Sequence, residues 1–429
     1  MNGLSTISDY IPIIGKDETD DLKMISAQLK DTELTHINST RSGGGVAEIL
    51  SRMVPLMNEL GIRARWDTIS GDDAFFRTTK AFHNALQNGT GELTEDMFRT
   101  YKDRTKINLM EVRPDTDFVV VHDPQPAGLI DSKYRKKGST WIWRCHIDVS
   151  NPGPKVWKFI SGYVSRYDGS IFSSPGFSRP DLSVKQFFIP PSIDPLSAKN
   201  ISIPDSVIDR VISRFGLDPD RPIVTQISRF DYAKDPIGTI EAFRLARKHV
   251  DCQLVFTGSL ATDDPEGEAI YRKTLEKVEN DKDIHILLLP PFSDMDINAL
   301  QRASAVVLQK SLREGFGLTV SEAMWKGRPV IASATGGIPL QIRNGINGFL
   351  VHTIEGTAFN IRRLLRSPEL ADTIGRNAME YVRHNFLITR HLRDYMLMML
   401  SLDAHRGKET NAARWKTAGD GARESVRSF

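Results

Sequence analysis

The chain has 429 residues, 40% of them hydrophobic and 26% charged, with a formal net charge of +2. That length exceeds what one hydrophobic core usually serves, so two domains of roughly 200 residues each are expected. The near-neutral charge, with no long Lys/Arg run, leaves no electrostatic footprint for nucleic acid. No apolar run approaches the ~20 residues of a membrane span, and residues 1–21 lack the basic and apolar regions of a signal peptide. Cys145 and Cys252 stand far apart and match no disulfide or zinc spacing. Reduced thiols and a cytoplasmic location are the simplest expectation.

Short apolar runs alternate with amphipathic stretches, the signature of an α/β fold with parallel sheets. In the first half, strands are predicted at 34–38, 63–68, 118–122, 140–147 and 170–173, with helices over 45–60, 72–86, 94–109 and 155–164. Ile189-Pro-Pro-Ser-Ile-Asp-Pro195, followed closely by Pro204, then interrupts the pattern. Proline cannot join a central ladder, so this stretch reads as an interdomain linker. The alternation restarts with strands at 223–228, 253–257, 284–289, 305–308, 330–332 and 349–351. Helices fit 236–249, 266–280, 296–302, 318–325 and 356–366. Two such units place a ligand cleft between them, at the carboxyl ends of their strands. From about residue 405 the chain is polar and charged, as in a frayed helix or disordered tail.

Glu314-Gly-Phe-Gly-Leu-Thr-Val-Ser-Glu322 sets two carboxylates around a Gly-Phe-Gly turn that opens a helix. Gly315 and Gly317 let backbone approach a ligand closely, and the free N–H groups at the start of the helix favour an anion such as a diphosphate. That suits a nucleotide sugar: one acid for sugar hydroxyls, amides for phosphate, and a second acid for ribose. A solvated helix start with acids favoured by the dipole is the plainer alternative.

Other constellations stand at strand ends. Thr40-Arg41-Ser42-Gly43-Gly44-Gly45 permits close approach to a phosphate or is a flexible turn; Glu48 occupies the place of the third glycine of the dinucleotide fingerprint, which disfavours a Rossmann oxidoreductase. Arg229 and Lys234 follow the first strand of the second half and suit a diphosphate leaving group, unless they pair with Asp231 or Asp235. His122 ends a very apolar strand and precedes Asp123. Trp141-Ile-Trp-Arg144-Cys-His146-Ile-Asp148 combines aromatic faces with hydrogen-bonding groups, either as a sugar-binding strand or as a packed one. Ala334-Thr-Gly336-Gly337 is a further glycine turn. Asp72-Asp73 and Asp263-Asp264 look solvated, and no metal motif stands at a strand end.

Together the Glu314…Glu322 element, Arg229 and Lys234, the N-terminal glycine loop and Gly336-Gly337 resemble the retaining nucleotide-sugar glycosyltransferases of family 4, which have the GT-B fold. The resemblance spans about residues 34–386. His122-Asp123-Pro-Gln-Pro, Arg144-Cys-His-Ile-Asp148 and the proline-rich linker look more narrowly like the trehalose glycosyltransferring synthases. It implies two Rossmann-like domains, 1–190 for the acceptor and 191–390 for the donor, with 391–429 a helix or tail crossing back to the first. It also implies transfer of glucose from ADP-, UDP- or GDP-glucose to free glucose. Retaining trehalose phosphorylases, or a GT-B transferase with another acceptor, are the alternatives.

Carried over, the resemblance makes Glu314, Arg229, Lys234 and His122 catalytic. Gly44, Gly45, Gly315, Phe316, Gly317, Leu318 and Glu322 would bind the donor. Asp123, Arg144, His146 and Asp148 would form the acceptor pocket. No cofactor is required on this reading, with Mg2+ left open as a nucleotide counter-ion. A homodimer is implied, and neither nucleic acid nor membrane is a partner.

Overall fold

The computed structural model describes residues 5–41, 44–89, 91–258, 265–290 and 293–403. Their strands form two six-stranded sheets, parallel throughout. The first holds β1 (Glu33–Asn38), β2 (Arg63–Thr68), β3 (Phe118–His122), β4 (Thr140–Arg144), β5 (Gly169–Phe172) and β6 (Lys185–Phe188), in the order β2-β1-β3-β4-β5-β6. The second holds β7 (Ile223–Ile227), β8 (Gln253–Gly258), β9 (Ile284–Leu288), β10 (Ser304–Gln309), β11 (Val330–Ser333) and β12 (Phe349–Val351), in the order β12-β11-β10-β7-β8-β9.

Helices cover both sheets. They are α1 (Ile11–Ile14), α2 (Lys16–Ala27), α3 (Gly44–Glu59), α4 (Asp73–Asn88), α5 (Glu95–Glu111), α6 (Pro154–Val164) and α7 (Asp205–Arg214), then α8 (Pro236–Arg247), α9 (Pro265–Val278) and α10 (Asp294–Ala303). There follow α11 (Leu318–Trp325), α12 (Ile338–Gln341), α13 (Ile354–Leu365), α14 (Pro368–Asn385) and α15 (388–403). This is the GT-B fold. Among the described residues, no helix is long and apolar enough to cross a membrane.

Strand residues alternate between faces. Val119, Val121, Trp141 and Trp143 pack with α4 to α6, while Leu34, Val120, Ile142 and Ile171 pack on the opposite face with α3 and α15. Leu392, Met396 and Met399 of α15 are buried there, each stabilising the first sheet by roughly 1.5–3 kcal/mol.

The proline-rich stretch is tied down rather than free. Ile193 forms a parallel bridge with Leu387, and Asp194 accepts from Tyr10 Oη at 2.9 Å and faces Arg52 at 3.3 Å. The chain therefore leaves the first sheet and returns towards it at one place.

Both sheets reverse their strand order once, between β1 and β3 and between β7 and β10. A crevice opens at the carboxyl ends of strands where the order reverses. The glycine loop, Lys234 and Glu314 follow β1, β7 and β10, and His122 ends β3.

The structure departs from the sequence reading in places. β4 stops at Arg144 rather than at 147, where the neighbouring β3 ends and Asp123 turns into the left-handed region (φ 66°). β6 escaped notice because Lys-Gln-Phe-Phe is a partly exposed edge without an apolar run. α2, α7 and α14 were also not anticipated. Ser42, Gly43, Asp263, Asp264 and the tail from 405 lie outside the described residues.

Candidate active site

Glu314 sits where β10 gives way to α11. Its Oε2 accepts from Lys234 Nζ at 2.6 Å, Gln309 Nε2 at 3.2 Å and Ser311 Oγ at 3.2 Å. The backbone around it is crowded: a Cβ on Gly336 (φ 55°) would lie 1.6 Å from the Glu314 carbonyl oxygen. Gly317 caps α11 in the left-handed region (φ 81°), and Gly337 N–H bonds to the Gly315 carbonyl at 3.0 Å. The Gly315–Gly317 and Gly336–Gly337 turns thus belong to one knot of backbone beside the acid.

Lys234 pairs with Glu314 across the gap between β7 and β10. Asp235 instead meets Lys310, which the sequence reading passed over. Arg229 stands apart, 61% exposed and 4.0 Å from Asp231. Of the two cations expected beside a diphosphate, one is part of the acid's setting and the other is open to solvent.

Glu322 lies inside α11 and is buried. Its Oε1 is 3.4 Å from Lys199 Nζ, which also reaches Glu48 of α3 at 2.8 Å. Burial and then the Glu322 charge push the Glu48 carboxyl above its usual range. Lys326, one turn on, donates to Asn200 Oδ1 at 2.9 Å, and burial pulls its ammonium down to about 7. A Cβ on Gly45 would sit 2.8 Å from Leu318 Cδ1, so the first turns of α3 and α11 touch. Two helix starts that converge share a positive potential, which favours an anion between them.

The first sheet contributes a chain of imidazoles. His122 bonds through Nε2 to His36 Nδ1 at 3.0 Å and through Nδ1 to His146 Nε2 at 2.9 Å. Burial, then the neighbouring His36 and His146, keep His122 well below the ordinary histidine range. His146 is lowered by burial and then by Arg144. The His146 carbonyl would lie 2.9 Å from a Cβ on Gly315, so it lines the seam with the α11 turn.

Asp123 holds the His146 N–H at 2.8 Å, and burial lifts its carboxyl to about 6. Arg144 is wholly buried, and among the described residues its only hydrogen-bond partner is Ser173 Oγ, at 3.4 Å. Asp148 caps the Ser150 N–H at 2.9 Å. Among the described residues, no group of three or more His, Cys, Asp or Glu is placed to hold a metal ion.

Sequence reasoning missed Lys199, Gln309, Ser311 and His36. Only the strand register brings His36 beside His122, and only the linker's path brings Lys199 to Glu322.

Residues 36–179 match the family described as the N-terminal domain of trehalose synthase, and residues 207–381 match glycosyl transferases group 1. The chain is 45% identical over 406 residues to a trehalose synthase of Pyrococcus horikoshii, covering 94% of this chain and 97% of that one. It belongs to the trehalose synthase family of glycosyltransferases. A trehalose synthase of Rubrobacter xylanophilus is 42% identical, with 93% of this chain and 98% of its own covered. A trehalose phosphorylase of Grifola frondosa is more distant, at 28% identity, with 88% of this chain covering 58% of its length. Among solved structures, sucrose-phosphate synthase from Thermosynechococcus elongatus aligns with a TM-score of 0.68 at 18% identity, covering 87% of this chain and all of that one. An E. coli trehalose-6-phosphate structure with UDP-2-fluoro glucose aligns with a TM-score of 0.70 at 13% identity, covering 86% and 99%. These likenesses establish the shared GT-B architecture.

Proposed function

We propose that this family member is a retaining glycosyltransferase that moves glucose from an NDP-glucose to free glucose, forming α,α-1,1-linked trehalose in a reversible reaction. The observation that carries this reading is the Lys234–Glu314 pair, 2.6 Å apart at the reversal of the second sheet. Glu314 holds donor glucose hydroxyls and offsets positive charge as the glycosidic bond loosens. Lys234 and Arg229 take the growing negative charge of the diphosphate, an interaction strongest in the transition state. Amides of Gly44, Gly45, Gly315, Phe316, Gly317 and Leu318 face phosphate or sugar, and Glu322 holds the ribose once Lys199 yields.

Glu314 Oε2 already accepts three hydrogen bonds, which makes it a poor nucleophile. As the family resemblance implies, the acceptor hydroxyl attacks on the face that the diphosphate leaves, and a phosphate oxygen takes the hydroxyl proton. Positioning and charge stabilisation supply the rate. His122, whose two ring nitrogens bond His36 and His146, acts through His146 rather than on the donor; Asp123, His146 and Asp148 bind the acceptor, with Arg144 supporting them from behind. Mg2+ has no required role beyond accompanying the nucleotide.

The deciding assay is NDP release from UDP-, ADP- and GDP-glucose, with and without glucose, followed by NMR of the product. Glucose-dependent release and a symmetric α-linked disaccharide are expected. Silence with every donor, together with phosphate-dependent cleavage of trehalose, would replace this reading with a phosphorylase.

A further inference from the structure

We propose that His36 is a positioning residue that sets the tautomer of His146 through His122, so that His146 offers Nδ1–H to the acceptor sugar as a hydrogen-bond donor. The inference rests on the acceptor-side reading of His146 and adds a buried residue to it.

The geometry is a linear chain. His36 Nδ1 lies 3.0 Å from His122 Nε2, and His122 Nδ1 lies 2.9 Å from His146 Nε2. The His122 and His146 rings are nearly parallel, at 12°. Each link needs one N–H and one lone pair, and a neutral imidazole has one of each. Two of the chain's protons sit in the links. The third must sit at one end, on His36 Nε2 or on His146 Nδ1. An additional proton is excluded by the surroundings, because His36 is fully buried, His122 nearly so, and the buried Arg144 guanidinium follows on the same face of the sheet.

The two ends are not equivalent. His36 Nε2 is buried without a hydrogen-bond partner, and so are Nε and Nη1 of Arg144. An N–H on His36 Nε2 would be an orphan donor in a layer that already holds unpaired donors and a positive charge. Orphaned buried N–H groups are rarer than under-satisfied acceptors. His36 therefore carries its proton on Nδ1 and donates to His122 Nε2. His122 donates from Nδ1 to His146 Nε2, and His146 keeps its proton on Nδ1. His146 as a residue is partly exposed, and its backbone carbonyl borders the Gly315 turn. Its Nδ1–H can donate to a sugar oxygen but cannot take a proton from a hydroxyl.

The test uses the full chain with 15N-labelled histidine, the His146 signals being assigned by their loss in His146→Gln. In the unaltered protein, long-range 1H–15N correlation should show a protonated Nδ1 and an unprotonated Nε2 at His146. His36→Leu removes the inner donor, so the His146 signals should move towards mixed tautomers and the glucose KM should rise roughly tenfold, with the donor KM little changed. His36→Asn places an amide nitrogen where Nδ1 was, so the spectrum and the glucose KM should stay near those of the parent. Leucine fills the apolar space better, so melting temperature should rank Leu above Asn while glucose KM ranks them the other way. A proton on Nε2 of His146 in the parent, an unchanged spectrum in His36→Leu, or a KM that simply follows melting temperature would overturn the proposal. If the parent shows no glucose-dependent turnover, the acceptor reading fails, and the spectra alone still decide whether His36 sets the tautomer.

Discussion

Lys234 Nζ and Glu314 Oε2 lie 2.6 Å apart, with side-chain exposures of 17% and 10%. Glu314→Gln should keep the fold and lower turnover by about a hundredfold or more. Lys234→Ala should also lose turnover and leave the carboxylate short of its cation. In a double-mutant cycle the pair should couple by about 1 kcal/mol or more in melting experiments. Simple additivity would mean that the two act apart.

Arg229 is exposed, and among the described residues its nearest carboxylate, on Asp231, is 4.0 Å away. Arg229→Ala should therefore change stability by no more than about 0.5 kcal/mol while weakening NDP binding several-fold. Calorimetric titration with NDP decides this, and unchanged affinity would remove Arg229 from the diphosphate site.

Asp123 has its carboxyl raised to about 6 from an ordinary 3.8, through burial. Between those values the folded chain keeps a proton that the unfolded chain has lost, so this group's contribution to stability falls as pH rises and levels off above 6. Asp123→Asn keeps the acceptor for His146 N–H and suits the left-handed backbone. Its stability advantage should grow from pH 4 to pH 6 to on the order of 2 kcal/mol and then hold. The buried histidines lose stability on acidification in both proteins and cancel in the difference. A flat difference across the range would count against a buried, titrating Asp123.

Gly336→Ala should cost about 3 kcal/mol or more, or prevent folding, because its Cβ would meet the Glu314 carbonyl at 1.6 Å. Gly162→Ala, in α6 with open space around the new methyl, should instead stabilise by about 0.5 kcal/mol. Chemical denaturation of both variants checks the contrast.

The central strands were legible because burial on both faces leaves a nearly continuous apolar run, as in Phe118-Val-Val-Val121 of β3. The carboxylates and glycines of the second sheet were legible because a turn and a helix start confine them within a few residues. The inner partners were not. Lys199 reaches Glu322 only because the linker folds against α11, and His36 meets His122 only because β1 and β3 are neighbours. Arg144 reads in the sequence as an acceptor-pocket residue or as part of a packed strand, and its strand carries it wholly inside.

Helix α15 has a consequence for synthesis. Ile388, Leu392, Tyr395, Met396 and Met399 close the face formed by Leu34, Val120, Ile142 and Ile171, and Arg390 fastens the return by bonding the Pro190 and Pro191 carbonyls at 2.8 and 3.1 Å. On the ribosome, the strands of the first sheet emerge long before the helix that covers them. That sheet must wait, one face covered only in part by α3, while the second sheet folds, and a nascent chain stopped after the linker would carry an apolar surface ready to aggregate.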